Sequence, residues 1–199
     1  LLISEGLILM FQRLEVLTSL GSKASTFLSE LTDNKEHLSV VYHPTIKLLD
    51  SINSTREEFA NSLHQSRQRD IQTGTTQFGP HRDDFELSVN DSDMRIFSSR
   101  GQARTIALAL RLSEASHISS PESEPIILLD DILSELDTQR RQRILKTIST
   151  YNQLIITTTN LGDFEESFLK KSTIFGVHQG NITPYEHDMP MKEALEGFE

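Results

Sequence analysis

The segment Pro125–Asp137, PIILLDDILSELD, limits the fold more than any other part of the chain. Four aliphatic residues, Ile126 to Leu129, run directly into two adjacent acids, Asp130 and Asp131. An apolar run without polar alternation predicts a strand covered on both faces, as in a parallel sheet. The two carboxylates then stand where the strand leaves the core, and in open α/β sheets that edge is where ligands bind. A plain acidic loop opening the next helix competes with this reading, since Ser134 followed by Asp137 also suits helix capping.

The flanking sequence supplies the partners such a strand requires. A helix is expected over Thr138–Ser149 with Ile144, Leu145 and Ile148 inward, then a strand over Leu154–Thr159, and strand-like sequence at Thr173–Val177. Strands alternating with helices at this spacing imply an α/β layer with parallel strands. Upstream, Phe85–Val89 and Met94–Phe97 flank Asn90–Asp93 like a hairpin, and a helix runs from about Gly101 to His117.

The first third reads differently. Leu7, Met10, Phe11, Leu14 and Leu17 recur at helical spacing, predicting a helix to about Leu20 with a break at Gly21 and a further helical stretch before Asp33-Asn34. Leu38, Val40 and Tyr42 alternate as a half-buried strand, and Ser54–Glu57 is a capping-box pattern opening a polar helix to about Arg69. Thr73–Pro80 is the best boundary. The expected division is a mostly helical lobe over 1–75, an α/β domain over 76–185, and an acidic tail over 186–199.

Composition narrows the chemistry. A chain of 199 residues can bury a real core. Without cysteine it has no disulfide and no thiolate zinc site, which suits a reducing cytoplasm. The seven histidines form no His-Glu-x-x-His pattern. The apolar start Leu1–Phe11 contains Glu5 and is too short to span a bilayer, so no membrane association is expected; opening on leucine, the chain reads as a piece of a longer one. A formal charge of −10 argues against non-specific nucleic-acid binding over the whole surface, so any such contact is local. Arg100, Arg104 and Arg111 fall within about 40° on one helix face at 3.6 residues per turn and are the candidate stripe for phosphate of DNA or of a nucleotide. Arg140, Arg141, Arg143 and Lys146 form a second basic patch, for which a solvated helix face is preferred.

Three short pieces carry the candidate chemistry. In Ser98–Gln102, SSRGQ, a serine and a glycine just before a helix offer a hydroxyl, unpaired backbone N–H groups and the positive end of the helix dipole, which suit a phosphate; a plain N-cap is the alternative. A strand ending in Asp130 suits magnesium bound through one or two carboxylates plus phosphates, with Asp131 placed to orient or deprotonate a water. Ser134–Asp137 follows. His81-Arg82-Asp83 echoes a protein-kinase catalytic loop, but Ser88 stands where asparagine is needed and no Asp-Phe-Gly follows, so a kinase is rejected.

In order and spacing these pieces resemble the signature, Walker B and D-loop series of the ABC-type ATPases. SSRGQ departs from Leu-Ser-Gly-Gly-Gln by Ser98 and Arg100 and matches at Ser99, Gly101 and Gln102. FGPHRDDF at Phe78–Phe85, SSRGQARTIALALRLSE at Ser98–Glu114, PIILLDDILSELD, and IITTTN at Ile155–Asn160 together resemble the RecF family of bacterial DNA replication and recombinational repair ATPases.

The resemblance implies the C-terminal half of an ABC-type, SMC-like head with a mostly helical arm lobe. It also implies ATP-dependent homodimerisation and binding to single-stranded DNA and single/double-strand junctions. RecR and RecO are, by the same resemblance, expected as partners, in recombinase loading at gapped DNA and the SOS response. By the same resemblance Asp130 holds Mg2+, Asp131 is the catalytic base, Ser99, Gly101 and Gln102 meet the ATP γ-phosphate in trans, and Ser134 and Asp137 form the D-loop. The resemblance implies that the full-length family member is a slow, DNA-dependent ATPase, and an aspartate in place of the usual glutamate base suits the slow rate. Thr159, near the place of the transporter switch histidine, speaks against a transporter. His81 and Arg82 are expected to brace the arm–head junction or approach nucleotide, with a simple turn and salt bridge equally open.

No Gly-x-x-x-x-Gly-Lys-Ser/Thr occurs, so the phosphate cradle is expected upstream and the 199 residues alone are not expected to bind ATP well. Two alternatives stay open: a truncated, non-catalytic interaction module keeping the head fold, and another ATPase head of the SMC or Rad50 type, which would require a long heptad region that the sequence does not show.

Overall fold

The computed structural model describes residues 1–120, 122–133 and 136–184. Its spine is α1, Leu2–Thr32, a 31-residue helix about 46 Å long at 1.5 Å per residue. The helix runs through Gly21 without a break. A Cβ at Gly21 would lie 2.9 Å from the Val40 side chain, so glycine is there to let β1 (Leu38–His43) approach the helix. The periodicity marks an inward face at this point, and glycine meets its requirement for close packing. The helix ends where Asp33 and Asn34 both turn left-handed and the Asn34 N–H bonds to the Ser29 carbonyl at 2.7 Å.

Three hydrophobic clusters lie along this spine. Near its start, Leu7 and Met10 pack with Ile46 and with Phe59 of α2 (Ile52–Thr73), a helix capped by Ser51 rather than Ser54. In the middle, Ala24 and Leu28 meet Leu38 of β1, Val89 of β2 (Asp84–Val89), and Ile106 and Ala109. At the end, Leu31 joins the largest cluster, built on Leu108, Leu112, Ile127, Leu129, Ile144 and Ile148.

β1 and β2 pair antiparallel from Leu38↔Val89 to His43↔Asp84. The predicted hairpin is cut short: β3 is only Ser92–Asp93, and Met94–Phe97 forms a helical turn, α3, capped by the Asp93 carboxylate. An N-cap acceptor immediately before this stretch turns it away from the ladder. α4, Arg100–Ile118, lies against α1, where Ser113 donates to the Leu20 carbonyl at 2.7 Å.

β4, Ile127–Asp130, and β5, Leu154–Thr157, are parallel, paired from Ile127↔Leu154 to Asp130↔Thr157 and connected through α5, Thr138–Ile148. This is the expected α/β unit. The expectation of cover on both faces of β4 is corrected: Ile127 and Leu129 are buried, but Leu128 is 65% exposed, and Ile126 and Ile155 are exposed as well. α4 and α5 pack one side of the pair, so alternate side chains emerge on the other. A short helix α6, Glu166–Leu169, precedes a hairpin of β6 (Phe175–His178) and β7 (Asn181–Pro184). The predicted acidic tail, 186–199, lies outside the described residues. Among those residues no helix is long and apolar enough to cross a membrane.

Candidate functional site

Ser99 caps α4. Its hydroxyl accepts from the Gln102 N–H at 3.2 Å while the Gln102 side-chain oxygen accepts from the Ser99 N–H at 3.1 Å, a complete capping box. Both are consequences of Ser and Gln three residues apart at a helix start. The Ser99 hydroxyl only accepts in this arrangement, so its proton is left to donate outward from an exposed position. Gln102 turns the other end of its amide inward, donating to Glu36 Oε1 at 3.2 Å. Gly101 lies beside the Arg140 guanidinium, where a Cβ would meet Nη1 at 3.8 Å.

The strand-edge acids form a second constellation. Asp130 and Asp131 are exposed at the carboxyl end of β4, as the sequence implied. The Thr157 hydroxyl, across the parallel pair, donates to Asp130 Oδ1. The Asp131 N–H is shared between the Thr157 carbonyl at 3.3 Å and the Thr157 hydroxyl at 3.1 Å. Asp131 has φ +47°, a left-handed conformation uncommon for a residue with a side chain. Locally stored strain of this kind collects at functional sites because surrounding structure must hold it. Here the holding group is Thr157. Thr159, the residue singled out in the sequence, lies two residues beyond the end of β5.

Arg141 fixes the connection that follows. Its guanidinium donates to the carbonyls of Leu133 at 3.2 Å and Leu136 at 3.0 Å, and pairs with Asp163 at 2.6 Å. One arginine thus grips the backbone on both sides of residues 134–135. Ser134, a predicted D-loop residue, lies outside the described residues. Asp137 caps α5, accepting from the Arg140 N–H at 2.9 Å.

The basic residues divide clearly. Arg100, Arg104 and Arg111 are all exposed on α4, and Arg111 pairs with Glu114 at 2.8 Å. In the second patch Lys146 is exposed, as a solvated face implies, but the three arginines are not free surface charges. Arg140 pairs with Glu36 and Asp137, Arg141 with Asp163, and Arg143 with Asp33, so these arginines fasten α5 to its neighbours.

The Phe78–Phe85 segment is organised around Asp83, to which motif reading gave no role of its own. Its side chain has no exposed surface. Oδ1 accepts from the Thr45 N–H at 2.6 Å and the Thr45 hydroxyl at 2.8 Å, and Oδ2 accepts from the Tyr42 hydroxyl. Arg13 of α1 lies 3.8 Å from Oδ2, donates to the Pro80 carbonyl at 2.7 Å, and stacks over the Tyr42 ring. His81 and Arg82 both reach the Thr76 carbonyl and close the turn. The bracing between α1, β1 and this segment is done by Asp83.

Two adjacent carboxylates offer the hard oxygen donors that magnesium takes. Among the described residues no group of three or more acids or histidines gathers to hold a metal ion by itself. Adjacent carboxylates of this kind suit a magnesium shared with phosphates and do not make an all-protein cage.

Comparison with known proteins shows which proteins this chain is similar to. No family model matches the chain. The DNA replication and repair protein RecF of Halalkalibacterium halodurans is 37% identical over 174 residues, 86% of this chain and 47% of the relative. RecF of a Geobacillus strain is 39% identical over 175 residues with the same coverage. The solved structure of the recombination mediator protein RecF with ATP superposes with a TM-score of 0.73 at 32% identity, over 92% of this chain and 48% of that one.

The chain resembles the C-terminal portion of RecF. It spans about half the length of the curated relatives it matches. A solved SMC ATPase structure, at 16% identity and TM-score 0.53, shares the fold. The α/β unit is therefore that of an ABC-type head. In this RecF-like frame Thr157, Glu36, Arg141 and Asp83 are residues that motif reading missed. IITTTN placed Thr157 within a motif, but only strand register shows that it faces Asp130.

Proposed function

We propose that the chain supplies the signature, Walker B and D-loop half of an ATP-gated DNA clamp acting in DNA replication and recombinational repair. The observation that carries this is the end of β4, where Asp130 and a left-handed Asp131 are both held by Thr157. Asp130 would hold magnesium, which with ATP bound neutralises charge on the phosphates. Asp131 takes the proton of the attacking water. The Ser99 hydroxyl and the α4 N-terminus meet the γ-phosphate held by the other subunit, as helix N-termini do with anions. Gly101 permits close approach there, Gln102 sets the Ser99 backbone from behind, and Ser134 and Asp137 line the dimer contact.

The phosphate cradle belongs to the N-terminal half of the head. The uncovered face of Ile126, Leu128 and Ile155 supports this over a self-sufficient interaction module, since an apolar sheet face is stable when another layer packs on it. The arm over 1–75 and the head over 76–185 are kept as functional parts, joined by α1–α4 packing and the Asp83 network. DNA phosphate is met by Arg100, Arg104 and Arg111. Single-strand/duplex junctions are the DNA target, RecR and RecO type mediators the protein partners, recombinase loading and SOS induction the outcome, and the cytoplasm the location.

In the full-length protein, Asp131→Asn is expected to leave an ATP-bound dimer whose hydrolysis falls about a hundredfold or more, as loss of a general base does. Wild-type hydrolysis by that variant removes Asp131 from the role. Ser99→Trp should abolish ATP-dependent dimerisation while sparing ATP binding by the monomer; an unchanged dimer overturns the trans contact.

A further inference from the structure

Glu36 lies in the turn between α1 and β1, outside every motif and 66 residues before Gln102. Its carboxylate oxygen Oε1 receives both the Gln102 amide at 3.2 Å and the Arg140 guanidinium at 3.4 Å. Gln102 closes the capping box of Ser99, and Arg140 approaches Asp137 at 3.6 Å and passes beside Gly101. One carboxylate therefore ties the start of α4 to the start of α5.

The turn that carries Glu36 is itself fixed. The Glu36 N–H bonds to the Thr32 hydroxyl at 3.2 Å, and Ser29 donates to the Glu36 carbonyl. Asn90, at the β2–β3 turn, bonds to the backbone of both Lys35 and His37. Arg143, one turn along α5 from Arg140, pairs with Asp33 at 3.2 Å. α5 is thus held to the 33–36 turn at two points.

The Glu36 side chain is 12% exposed and that of Arg140 25%. Glu36 Oε2 is buried and receives no hydrogen bond from the described residues. A carboxylate left half satisfied is a poor stabilising device, because its desolvation is only partly offset. A glutamine carbonyl would still accept from Gln102; only a carboxylate adds the charge pair with Arg140.

We propose that Glu36 is a positioning residue that locks the signature helix and the D-loop helix into one unit, so that Ser99 and Asp137 reach the partner's nucleotide together. This rests on the clamp reading above. It assigns to the arm lobe a direct hand in the nucleotide-dependent contact, since Glu36 belongs to neither motif it joins.

The test uses full-length protein, ATP, sedimentation velocity for dimerisation, equilibrium dialysis for monomer binding, and thermal melting. Glu36→Ala should weaken ATP-dependent dimerisation about tenfold, the size expected for coupled network partners, with monomer ATP affinity unchanged. Glu36→Gln, which keeps the Gln102 bond and loses the ion pair, should fall between. Glu36→Ala with Arg140→Ala should be no worse than Glu36→Ala alone. Wild-type dimerisation by Glu36→Ala, additive losses in the double variant, or losses that merely track the melting temperature would each overturn the proposal. Failure of the unmutated protein to dimerise with ATP would instead overturn the clamp reading, and this inference with it.

Discussion

The Tyr42 hydroxyl donates to the carboxylate of Asp83, joining β1 to the start of β2 over a side chain with no exposed surface. Four donors converge on or beside that carboxylate: Tyr42, the Thr45 N–H and hydroxyl, and Arg13. Tyr42 and both Thr45 groups donate to it while Arg13 stands 3.8 Å away, so the acceptor capacity of a carboxylate is what the site uses.

Asp83→Asn is therefore expected to destabilise the protein despite its matching shape. A carboxamide has one acceptor oxygen and would aim its NH2 at a donor. The loss should be about 2–3 kcal/mol, read as a lower urea midpoint at constant slope. A midpoint equal to wild type would show that the network is not required for folding.

Tyr42 links this network to pH. Burial, followed by its hydrogen bond to Asp83, pushes its phenol well above the usual tyrosine value of 10.0. With the folded state holding the proton more tightly, this contribution is intact below pH 10 and is lost as pH rises beyond it. Tyr42→Phe should lower stability at neutral pH by about 1–2 kcal/mol and flatten the alkaline limb above about pH 10. Urea melts at several pH values check this; an unaltered alkaline limb would remove Tyr42 as its source.

At Gly21 packing outweighs propensity. Gly21→Ala improves helix propensity by about 1 kcal/mol but drives a methyl to 2.9 Å from Val40. Overpacking should win, for a net loss of about 1–2 kcal/mol. Adding Val40→Ala should recover part of it through relief of the clash, and a stabilised single variant would contradict the close approach.

Thr157→Val keeps strand shape and removes the hydroxyl shared by Asp130 and the Asp131 N–H. ATP hydrolysis by the full-length protein is expected to drop about tenfold, within the range for loss of a group that supports a metal ligand, the role proposed for Asp130. Folding stability should change by only about 1 kcal/mol. Undiminished hydrolysis would mean that Asp130 and Asp131 hold their positions without it.

Much was legible in the chain because it is local. The β4 strand shows in four consecutive aliphatic residues, the caps of α4 and α5 in Ser99 and Asp137, and α5 in the spacing of Ile144, Leu145 and Ile148. Periodicity and capping act within a few residues, so sequence alone determined these elements, their order, and the likeness of the ordered motifs to RecF.

Other features are settled only when distant segments meet. Gly21 reads as a helix break until Val40 is seen against it, and Met94–Phe97 reads as a strand until Asp93 caps it as a helix. Leu128 looks like core until the helices are found on one side only. Glu36 and Arg140, 104 residues apart, carry no mark in the sequence of the bond between them. A charge pattern records which residues are ionised, whereas pairing depends on where the backbone brings them. The tertiary structure alone decided that the start of α4 and the start of α5 are held through a single carboxylate.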